Sequence, residues 1–457
     1  MTKETKQFDK MVNTPIKKLV LSLGIPTIIS MLITSVYNIA DTFFVSQLGT
    51  SASGAVSVIF PLMAIIQAIG FTLGMGGGSV ISSLLGEKRD EEAQVVGSSA
   101  FYSAIILGLV ITVFSLLFMN PLLKLLGSTD TALEYARDYA LYIVLGAPIM
   151  TGSFVLNNLL RSEGKSKLAM IGLTAGGLLN IALDPLFIFS LDMGISGAAV
   201  ATLLSQLTSF IILLSMFVFK KSIITLSIFK ISRSFHVYSE VIKVGFPSMC
   251  RQGLASIATI LLNNQAKLYG GDPALSAMGI TSKIFMVIFS ISLGIGQGYQ
   301  PVCGYNYYSK RFDRVKEAMW FTLIVMLITM SVLSIFFFTF STQVMEVFRD
   351  DQEVIKIGSK ALKFQCAVMP FLSINTICNM TYQSTKQKFK ATILSCCRQG
   401  LFFIPLVIVL PMIFDINGVV STQAAADLLT FVFSVFFFIN LCKDINNKIQ
   451  LENTSIS

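Results

Sequence analysis

Long apolar stretches recur from one end of this chain to the other, and they constrain its fold more than any other feature. Each is about 20 residues or longer, which is the length at which an α-helix crosses the hydrocarbon core of a bilayer. Of the 457 residues, 54% are hydrophobic and 13% are charged, whereas about 25% are charged in an ordinary soluble domain. The sequence therefore predicts an all-α polytopic membrane protein. A β-barrel would show short alternating segments instead.

Twelve transmembrane helices are predicted, and the even number places both termini on the same side of the membrane. We expect them near 15–47, 53–83, 94–118, 131–159, 166–190, 195–219, 238–268, 275–302, 315–339, 352–382, 388–413 and 418–442. Lysine and arginine concentrate in alternate connections, so the positive-inside rule puts both termini in the cytoplasm of a multi-pass protein of the plasma membrane. The net charge of +9 then reflects topology, and nucleic-acid binding is not expected.

Four short motifs of the first half recur in the second half, in the same order and at a nearly constant spacing. The pairs are Gly24-Ile25-Pro26 with Gly245-Phe246-Pro247, Gly74 and Gly76 with Gly296 and Gly298, Lys88-Arg89 with Lys310-Arg311, and Lys165-Ser166-Lys167 with Lys386-Gln387-Lys388. Six helices in each half make the repeats parallel, and such repeats form two bundles with a substrate site between them near the midplane of the membrane. We expect a cytoplasmic segment 1–14, an N-lobe 15–219, a linker 220–237, a C-lobe 238–442 and a cytoplasmic tail 443–457.

Two carboxylates lie inside apolar stretches of the first half and are missing from the second. The spacing of the repeat pairs Asp41 with Asn263 and Asp184 with Pro405. A carboxylate at membrane depth costs roughly 2.5–3.5 kcal/mol on insertion scales and usually faces a protein interior or a water-filled cavity. The two acids therefore indicate a site that binds protons or a small cation.

Polar residues near these acids supply further oxygen ligands. Tyr37 lies one turn before Asp41, and Asn180 lies one turn before Asp184, so each shares a helix face with its acid. Asn157 and Thr202 lie on neighbouring helices. Carboxylate, amide and hydroxyl oxygens suit a hard cation, and Na⁺ would be held by Asp41, Asn180, Asp184 and Thr202. A buried structural network is the alternative interpretation.

The roles of Pro26 and of the charged residues of the second half each have more than one interpretation. Pro26 lies in the first helix and is either a hinge or a static kink. Asp427 is expected to pair with Arg398 or Lys283, as a structural ion pair, a second relay or a contact for an anionic substrate. Arg251 begins a sequence RQGL that Arg398 also begins.

Enzymatic chemistry is not indicated. The single histidine lies in the predicted linker, and none of the seven cysteines has CxxC spacing, so neither a metal site nor a catalytic residue is predicted. No ATPase motif is present, and transport would be driven by an ion gradient.

These features together resemble the MATE family, the multidrug and toxic compound extrusion transporters, over nearly the whole chain. The resemblance is carried by Pro26 to Asp41 with Tyr37, by RSEGKSKLAMIGLTAGGLLNIALDP at 161–185, and by RQG at 398–400. It is closest to the bacterial DinF-like and MepA-like members, and it implies the two-bundle MATE or MOP fold. The residues that match the family's N-lobe cation network are Tyr37, Asp41, Asn157, Asn180, Asp184 and Thr202. Pro26 matches the helix 1 proline at which that helix is proposed to bend.

The same resemblance implies a function. The chain would be an antiporter that exports cationic, amphipathic drugs, including antibiotics, in exchange for H⁺ or Na⁺, by alternating access and without a cofactor. The NorM-like branch has acids in helices 7 and 10. In this chain, helix 7 has Arg251 and Gln252, and helix 10 has no interior acid. Coupling is therefore expected in the N-lobe. We expect a monomer in contact with lipid. A flippase for a lipid-linked oligosaccharide and an intramembrane enzyme are the alternatives.

Overall fold

The computed structural model describes residues 3–128 and 133–456, and these residues are helical almost throughout, with no strand among them. The α-helices are α1 (Lys3–Asn13), α2 (Ile16–Ser46), α3 (Thr50–Gly86), α4 (Asp90–Leu117), α5 (Met119–Leu125), α6 (Leu133–Ser162), α7 (Ser166–Pro185), α8 (Gly194–Val218), α9 (Phe235–Tyr308), α10 (Phe312–Thr339), α11 (Ser341–Phe348), α12 (Gln352–Val368), α13 (Leu372–Ser384), α14 (Lys388–Cys396) and α15 (Phe403–Ile456). The start predicted at 131 lies outside the described residues.

Two of these helices each contain two membrane crossings. α9 is 74 residues long and has one non-helical residue, Gly271. In the segment before Gly271, Gly245 packs against Thr72 of α3 and Gln252 donates a hydrogen bond to Gln67, so this segment runs antiparallel to α3. After it, Gly304 lies on Ser82 and Ser309 on Gly86, so the chain runs parallel to α3. The chain therefore reverses direction near Gly271.

The 54-residue α15 likewise has one non-helical residue, Asp415, and Arg398 before it pairs with Asp427 after it. Ten stretches of the described chain are long and apolar enough to cross a membrane, and two of them are double. The predicted fold of twelve transmembrane helices is therefore confirmed.

Three short helices were not predicted from the sequence. α1 falls in the segment 1–14 that was predicted to precede the first helix, yet Met11 and Val12 are buried, and Gln7 donates to the Glu163 carbonyl oxygen. α5 and α11 cap the opposite end of each half, where Leu123 and Met345 are fully buried. Each is too short to cross a bilayer, so a search for apolar stretches of about 20 residues misses it.

Proline and wide helical turns interrupt several predicted helices. α7 ends at Pro185 and continues as a π-helix over Leu186–Ser190. A 3₁₀ turn at Met369–Phe371 separates α12 from α13, and a π-helix at Cys397–Phe402 separates α14 from α15. At the C-terminus, helix extends beyond the predicted end at 442 because Ile445 still packs in the core.

Hydrogen bonds between neighbouring helices recur in the two halves, at positions that the sequence repeat makes equivalent. The pairs are Asn157 Nδ2 to Ala169 O (3.1 Å) with Asn379 Nδ2 to Ala391 O (2.8 Å), and Thr112 Oγ1 to Val144 O (2.7 Å) with Ser334 Oγ to Cys366 O (2.5 Å). Each satisfies a polar side chain inside the bundle, as lipid-embedded helices require. The internal repeat therefore extends from the sequence to the contacts.

The halves meet through glycines at the end of the molecule that carries Lys88 and Lys310, which we call the basic end. A Cβ on Gly245 would lie 1.9 Å from the Thr72 carbonyl oxygen, and a Cβ on Gly298 would lie 2.4 Å from Gly24 Cα. Only glycine permits such an approach of two backbones. The glycines of these contacts, 24 with 298 and 76 with 245, are those that carry the sequence repeat.

Hydrogen bonds between the halves extend from the basic end only part of the way along the helices. Asn306 Nδ2 donates to Met11 O at 3.2 Å near that end. Farther along, the hydroxyls of Ser35 and Ser290 lie 2.5 Å apart, and Gln252 Nε2 donates to Gln67 Oε1 at 3.2 Å. Among the described residues, none links the last turns of α2 to the other half. The two halves are thus joined at the basic end, and the cleft between them opens toward the other end.

Candidate functional site

Asp41 lies in the last third of α2, a helix with no acidic residue in its first turn and no basic residue in its last. Its side chain is half-buried, and its Oδ1 atom is buried without a hydrogen-bond partner. Tyr37 lies one turn earlier, and its hydroxyl is within the electrostatic reach of the Asp41 charge. Asp41 is therefore a carboxylate with spare acceptor capacity that is still accessible in part.

Asp184 lies in the last turn of α7 and is fully buried. Asn180 Nδ2 donates to Asp184 Oδ1 at 3.1 Å, which confirms that the two share one face. Asp184 Oδ2 and Asn180 Oδ1 have no partner. Pro185 follows at once and cannot donate a backbone N–H. The end of α7 thus presents two unfilled oxygen atoms to the interior of the first half.

Tyr139 lies near both carboxylates and was not predicted from the sequence. It lies in α6, is fully buried, and its hydroxyl is within the electrostatic reach of both Asp41 and Asp184. Thr202 of α8 lies beside that hydroxyl. Residues 134–142 contain charged and aromatic neighbours of similar polarity, so no sequence signal distinguishes Tyr139 from them. The structure therefore brings together Asp41, Asp184 and Thr202.

Hydroxyl groups on α8 extend this polar interior. Ser205 and Ser209 are buried, and neither hydroxyl has a hydrogen-bond partner. They lie one and two turns after Thr202, against Gly176 of α7. Buried polar atoms are nearly always paired, so this cluster of unfilled oxygens indicates a ligand that donates protons or accepts lone pairs.

The chemistry of the cluster is that of a proton or a hard cation. Carboxylate, amide and hydroxyl oxygens are the ligands that such cations prefer. Within residues 3–128 and 133–456, no three side chains of His, Cys, Asp or Glu are grouped as a transition metal would require. The atoms available for coordination are Asp41 Oδ1, Asp184 Oδ2, Asn180 Oδ1 and the hydroxyls of Tyr139 and Thr202.

Two further predicted residues lie in other surroundings. The Asn157 amide donates to Ala169 O, and its counterpart Asn379 makes the same bond in the half that lacks both acids. In the described chain, no hydrogen bond joins Asn157 to either carboxylate. Pro26 is buried inside α2, which is helical without a break there, and Ser30 Oγ donates to the Pro26 carbonyl oxygen at 2.9 Å.

The second half neutralises its one deep acid internally. Arg398 Nε donates to Asp427 Oδ1 at 2.8 Å, and Gln423 Nε2 donates to the same oxygen at 2.8 Å. The Arg398 guanidinium also lies 4.5 Å from the centre of the Phe289 ring, a favourable cation–π arrangement. The expected pairing of Asp427 is thus with Arg398. Lys283 is half-buried and takes part in no ion pair among the described residues.

Comparison with known proteins points to one family. The family model described as MatE matches residues 26–186 and again 247–409, and the two matches begin at Pro26 and Pro247, which the sequence repeat pairs. A multidrug export protein, MepA, of Staphylococcus saprophyticus is 28% identical over 408 residues, covering 89% of this chain and 90% of that protein. MepA of Staphylococcus aureus (strain MRSA252) is 27% identical over 415 residues, covering 91% of each.

Solved structures are similar over the full length. A multidrug resistance MATE family transporter of the MOP superfamily, in an outward-facing conformation, has a TM-score of 0.91 and 25% identity, covering 98% of this chain and 99% of that one. A MOP superfamily transporter from Pyrococcus furiosus, described as having a binding pocket of reverse polarity, has a TM-score of 0.89 and 26% identity, covering 97% and 98%.

Proposed function

This chain belongs to the MatE family of membrane transporters, and from that premise we propose that it exports cationic, amphipathic drugs in exchange for H⁺ or Na⁺. The relatives named multidrug export proteins support the choice of cargo. The absence of an ATPase motif from the sequence supports a gradient as the source of energy.

The observation that carries the proposal is the cluster of unfilled oxygens around Asp41 and Asp184. Asp184 is fully buried, whereas Asp41 is half-buried, so a cation from the open end of the cleft reaches Asp41 first. Tyr139, which lies near both acids, and Thr202 beside its hydroxyl belong to the same cluster. Leaving these oxygens unpaired costs free energy, and a proton or Na⁺ removes that cost.

Exchange follows from competition between two cations for one pair of carboxylates. When both acids are ionised, they attract a cationic drug from the cytoplasmic side. When H⁺ or Na⁺ binds, that attraction is lost and the drug leaves toward the open end of the cleft. Pro26 lacks the N–H that would hold α2 to its preceding turn, so α2 is the helix whose shape we expect to change.

Transport by purified protein in liposomes tests the proposal. Ethidium movement is measured under an imposed pH gradient and, separately, under an imposed Na⁺ gradient. One gradient should drive ethidium in the opposite direction, and Asp41→Asn or Asp184→Asn should each abolish this coupled movement. Full coupled transport by either variant would contradict the proposed site.

A matched control is Asp192→Asn, which makes the same substitution at an exposed carboxylate. Asp192 has φ of 52°, a conformation that asparagine also adopts readily. It should transport as the unmodified protein does. Failure of the unmodified protein to move any cationic dye under either gradient would instead favour the flippase alternative.

A further inference from the structure

A groove runs between the two halves, with α4 of the first half as one wall and α9 of the second half as the other. Its volume is about 260 Å³. Apart from two serines and one tyrosine, every residue that lines it is apolar. The apolar lining includes Ile106 and Leu107 of α4 and Val241 and Ile242 of α9. The groove therefore belongs to both halves and is separate from the acid cluster.

The groove lies at membrane depth and faces lipid. Ile106 on one wall is 57% exposed, and Ile242 on the other is 48% exposed. Residues 93–117 of α4 include no charged side chain, so this surface suits the hydrocarbon core of a bilayer. Apolar cavities stay dry, and an empty groove would lose dispersion contacts along its walls. An acyl chain of the bilayer is therefore the occupant that the groove fits.

The linker closes the groove on the side of the basic end, where α4 begins. Ser232 N donates to Ser99 Oγ at 2.8 Å, and Tyr238 Oη donates to the Ser232 carbonyl oxygen at 2.7 Å. Ser99 and Tyr238 line opposite walls, so Ser232 is bonded to both. Arg233 follows directly, is exposed, and takes part in no ion pair among the described residues. A cation thus lies where the apolar groove ends.

Further basic residues surround the groove. Lys230 Nζ donates to Gln94 Oε1 near the start of α4, and Lys243, next to Ile242, is exposed. Glu240, the acid of this part of α9, is already paired with Lys386 Nζ at 3.4 Å. Basic pockets between membrane helices bind the headgroups of anionic lipids. The charges around the groove therefore favour an anionic headgroup over a zwitterionic one.

We propose that this groove binds a phospholipid with an anionic headgroup, drawn from the leaflet at the basic end. One acyl chain lies along α4 between Ser99 and Leu107, and the headgroup meets Arg233. Eight residues of helix span about 12 Å, and one leaflet provides about 15 Å of hydrocarbon, so an ordinary acyl chain reaches along the whole groove. The inference does not depend on the proposed cargo, because the lipid is a component of the bilayer.

A lipid in the groove contacts both halves at once. Ile106 belongs to the first half and Ile242 to the second, and the acyl chain fills the space between them. These contacts are complete only while the halves meet at the basic end. A ligand that binds one state better shifts the equilibrium toward that state, so the lipid stabilises the state that is closed at the basic end.

Quenching by brominated lipids tests the site in the full-length protein in liposomes. Trp320 is the only native tryptophan, and Trp320→Phe removes it. Ile106→Trp then places a fluorescent reporter at the rim of the groove. Phosphatidylglycerol and phosphatidylcholine that have the same brominated acyl chains both quench a tryptophan that they contact. Phosphatidylglycerol should bind at position 106 at least tenfold more tightly than phosphatidylcholine.

Val113→Trp in the same background is the matched control for position. Val113 lies two turns beyond Ile106 on α4, outside the groove, and is 56% exposed. The two lipids should therefore quench a tryptophan there equally. Ser103→Phe fills the groove without a change of charge, and it should remove the preference for phosphatidylglycerol at position 106.

A second pair of variants separates the site from general attraction between charges. Arg233→Gln should reduce the preference at position 106 about fivefold, which is the contribution of one arginine near an anionic surface. Lys316→Gln removes an equal charge from an exposed position of α10 at the basic end, and it should leave the preference unchanged.

Equal quenching by the two lipids at position 106 overturns the lipid site, whether or not the variants fold. An equal preference at positions 106 and 113 also overturns it, since the attraction would then be general. Tetraphenylphosphonium, a lipophilic cation without acyl chains, tests the other occupant. If it displaces phosphatidylglycerol from position 106, the groove belongs to the cargo and the proposal is wrong.

Discussion

Alanine at position 298 should open the basic end, because Gly298 touches Gly24 across the two halves. The added Cβ would lie 2.4 Å from Gly24 Cα and 2.6 Å from its nitrogen, whereas ordinary contact begins at 3.4 Å. α2 and the second segment of α9 must therefore separate by about 1 Å. Overpacking of this kind costs about 1–3 kcal/mol. The cost applies only where the halves meet, so the population ratio of closed to open basic end should fall roughly 5- to 150-fold.

The matched control comes from the other side of the same contact. A Cβ on Gly24 would meet nothing within 4 Å, although the residue lies in the same helix crossing. Both substitutions replace glycine with alanine inside a helix, so both gain the same helical preference. Gly24→Ala should therefore leave the population ratio unchanged.

Distances between fluorophores at positions 88 and 310 measure the population ratio. Both positions are exposed and lie in equivalent turns at the basic end. Introduced azido groups carry the fluorophores, so the seven native cysteines stay unlabelled. Energy transfer in lipid nanodiscs should show a longer-distance population for Gly298→Ala only. Equal distributions for Gly298→Ala and the unmodified protein, or an equal shift in Gly24→Ala, would refute the steric argument.

Three further outcomes follow from single contacts. Arg398→Met should cost about 3–5 kcal/mol of stability, because it leaves the Asp427 carboxylate buried and unpaired. The double variant with Asp427→Leu should regain most of that stability. If unfolding experiments show that the losses of the two single variants simply add, the two residues do not form a pair. Glu163 is fully buried and accepts hydrogen bonds from the backbone N–H groups of Ile223 (2.8 Å) and Ile224 (3.2 Å), so Glu163→Gln should speed protease cleavage of residues 220–234, with an unchanged cleavage rate as the contrary result. Tyr139→Phe should raise the H⁺ or Na⁺ concentration for half-maximal ethidium transport several-fold without loss of folding, and an unchanged value would remove the Tyr139 hydroxyl from the site.

The membrane fold was predictable from the sequence because bilayer thickness leaves few choices. An apolar stretch of about 20 residues must be helical in lipid, where every backbone polar group needs a partner within its own segment. α1 could not be predicted in this way, because Met11 is buried by Gly164 and Asn306, residues far away in the chain. A break between residues 268 and 275 was predicted, whereas its position at Gly271 is known only from the backbone, which leaves the helical conformation there.

Helical geometry could place site residues together only along single helices, and the grouping of residues from different helices was an expectation from the buried acids and the family resemblance. Asn180 and Asp184 are one turn apart, so helical geometry alone places them together. The approach of Asp41 to Asp184 depends on how α2 packs against α7, through Gly177 beneath Tyr37. Tyr139 enters from a third helix, and the pairing of Arg398 with Asp427 required the chain to reverse at Asp415.

The two halves differ in charge far more than in framework. Neutral hydrogen bonds such as Asn157 to Ala169 recur in the second half, there from Asn379 to Ala391, because both bundles must satisfy the same backbone and side-chain groups away from water. Charged side chains are not needed to satisfy the backbone, and their positions differ between the two halves. The first half keeps two acids without a cation, whereas the second half pairs its deep acid with Arg398. Ionisable residues at membrane depth usually mark functional sites, and the two unpaired acids therefore support the proposed cation site in the first half.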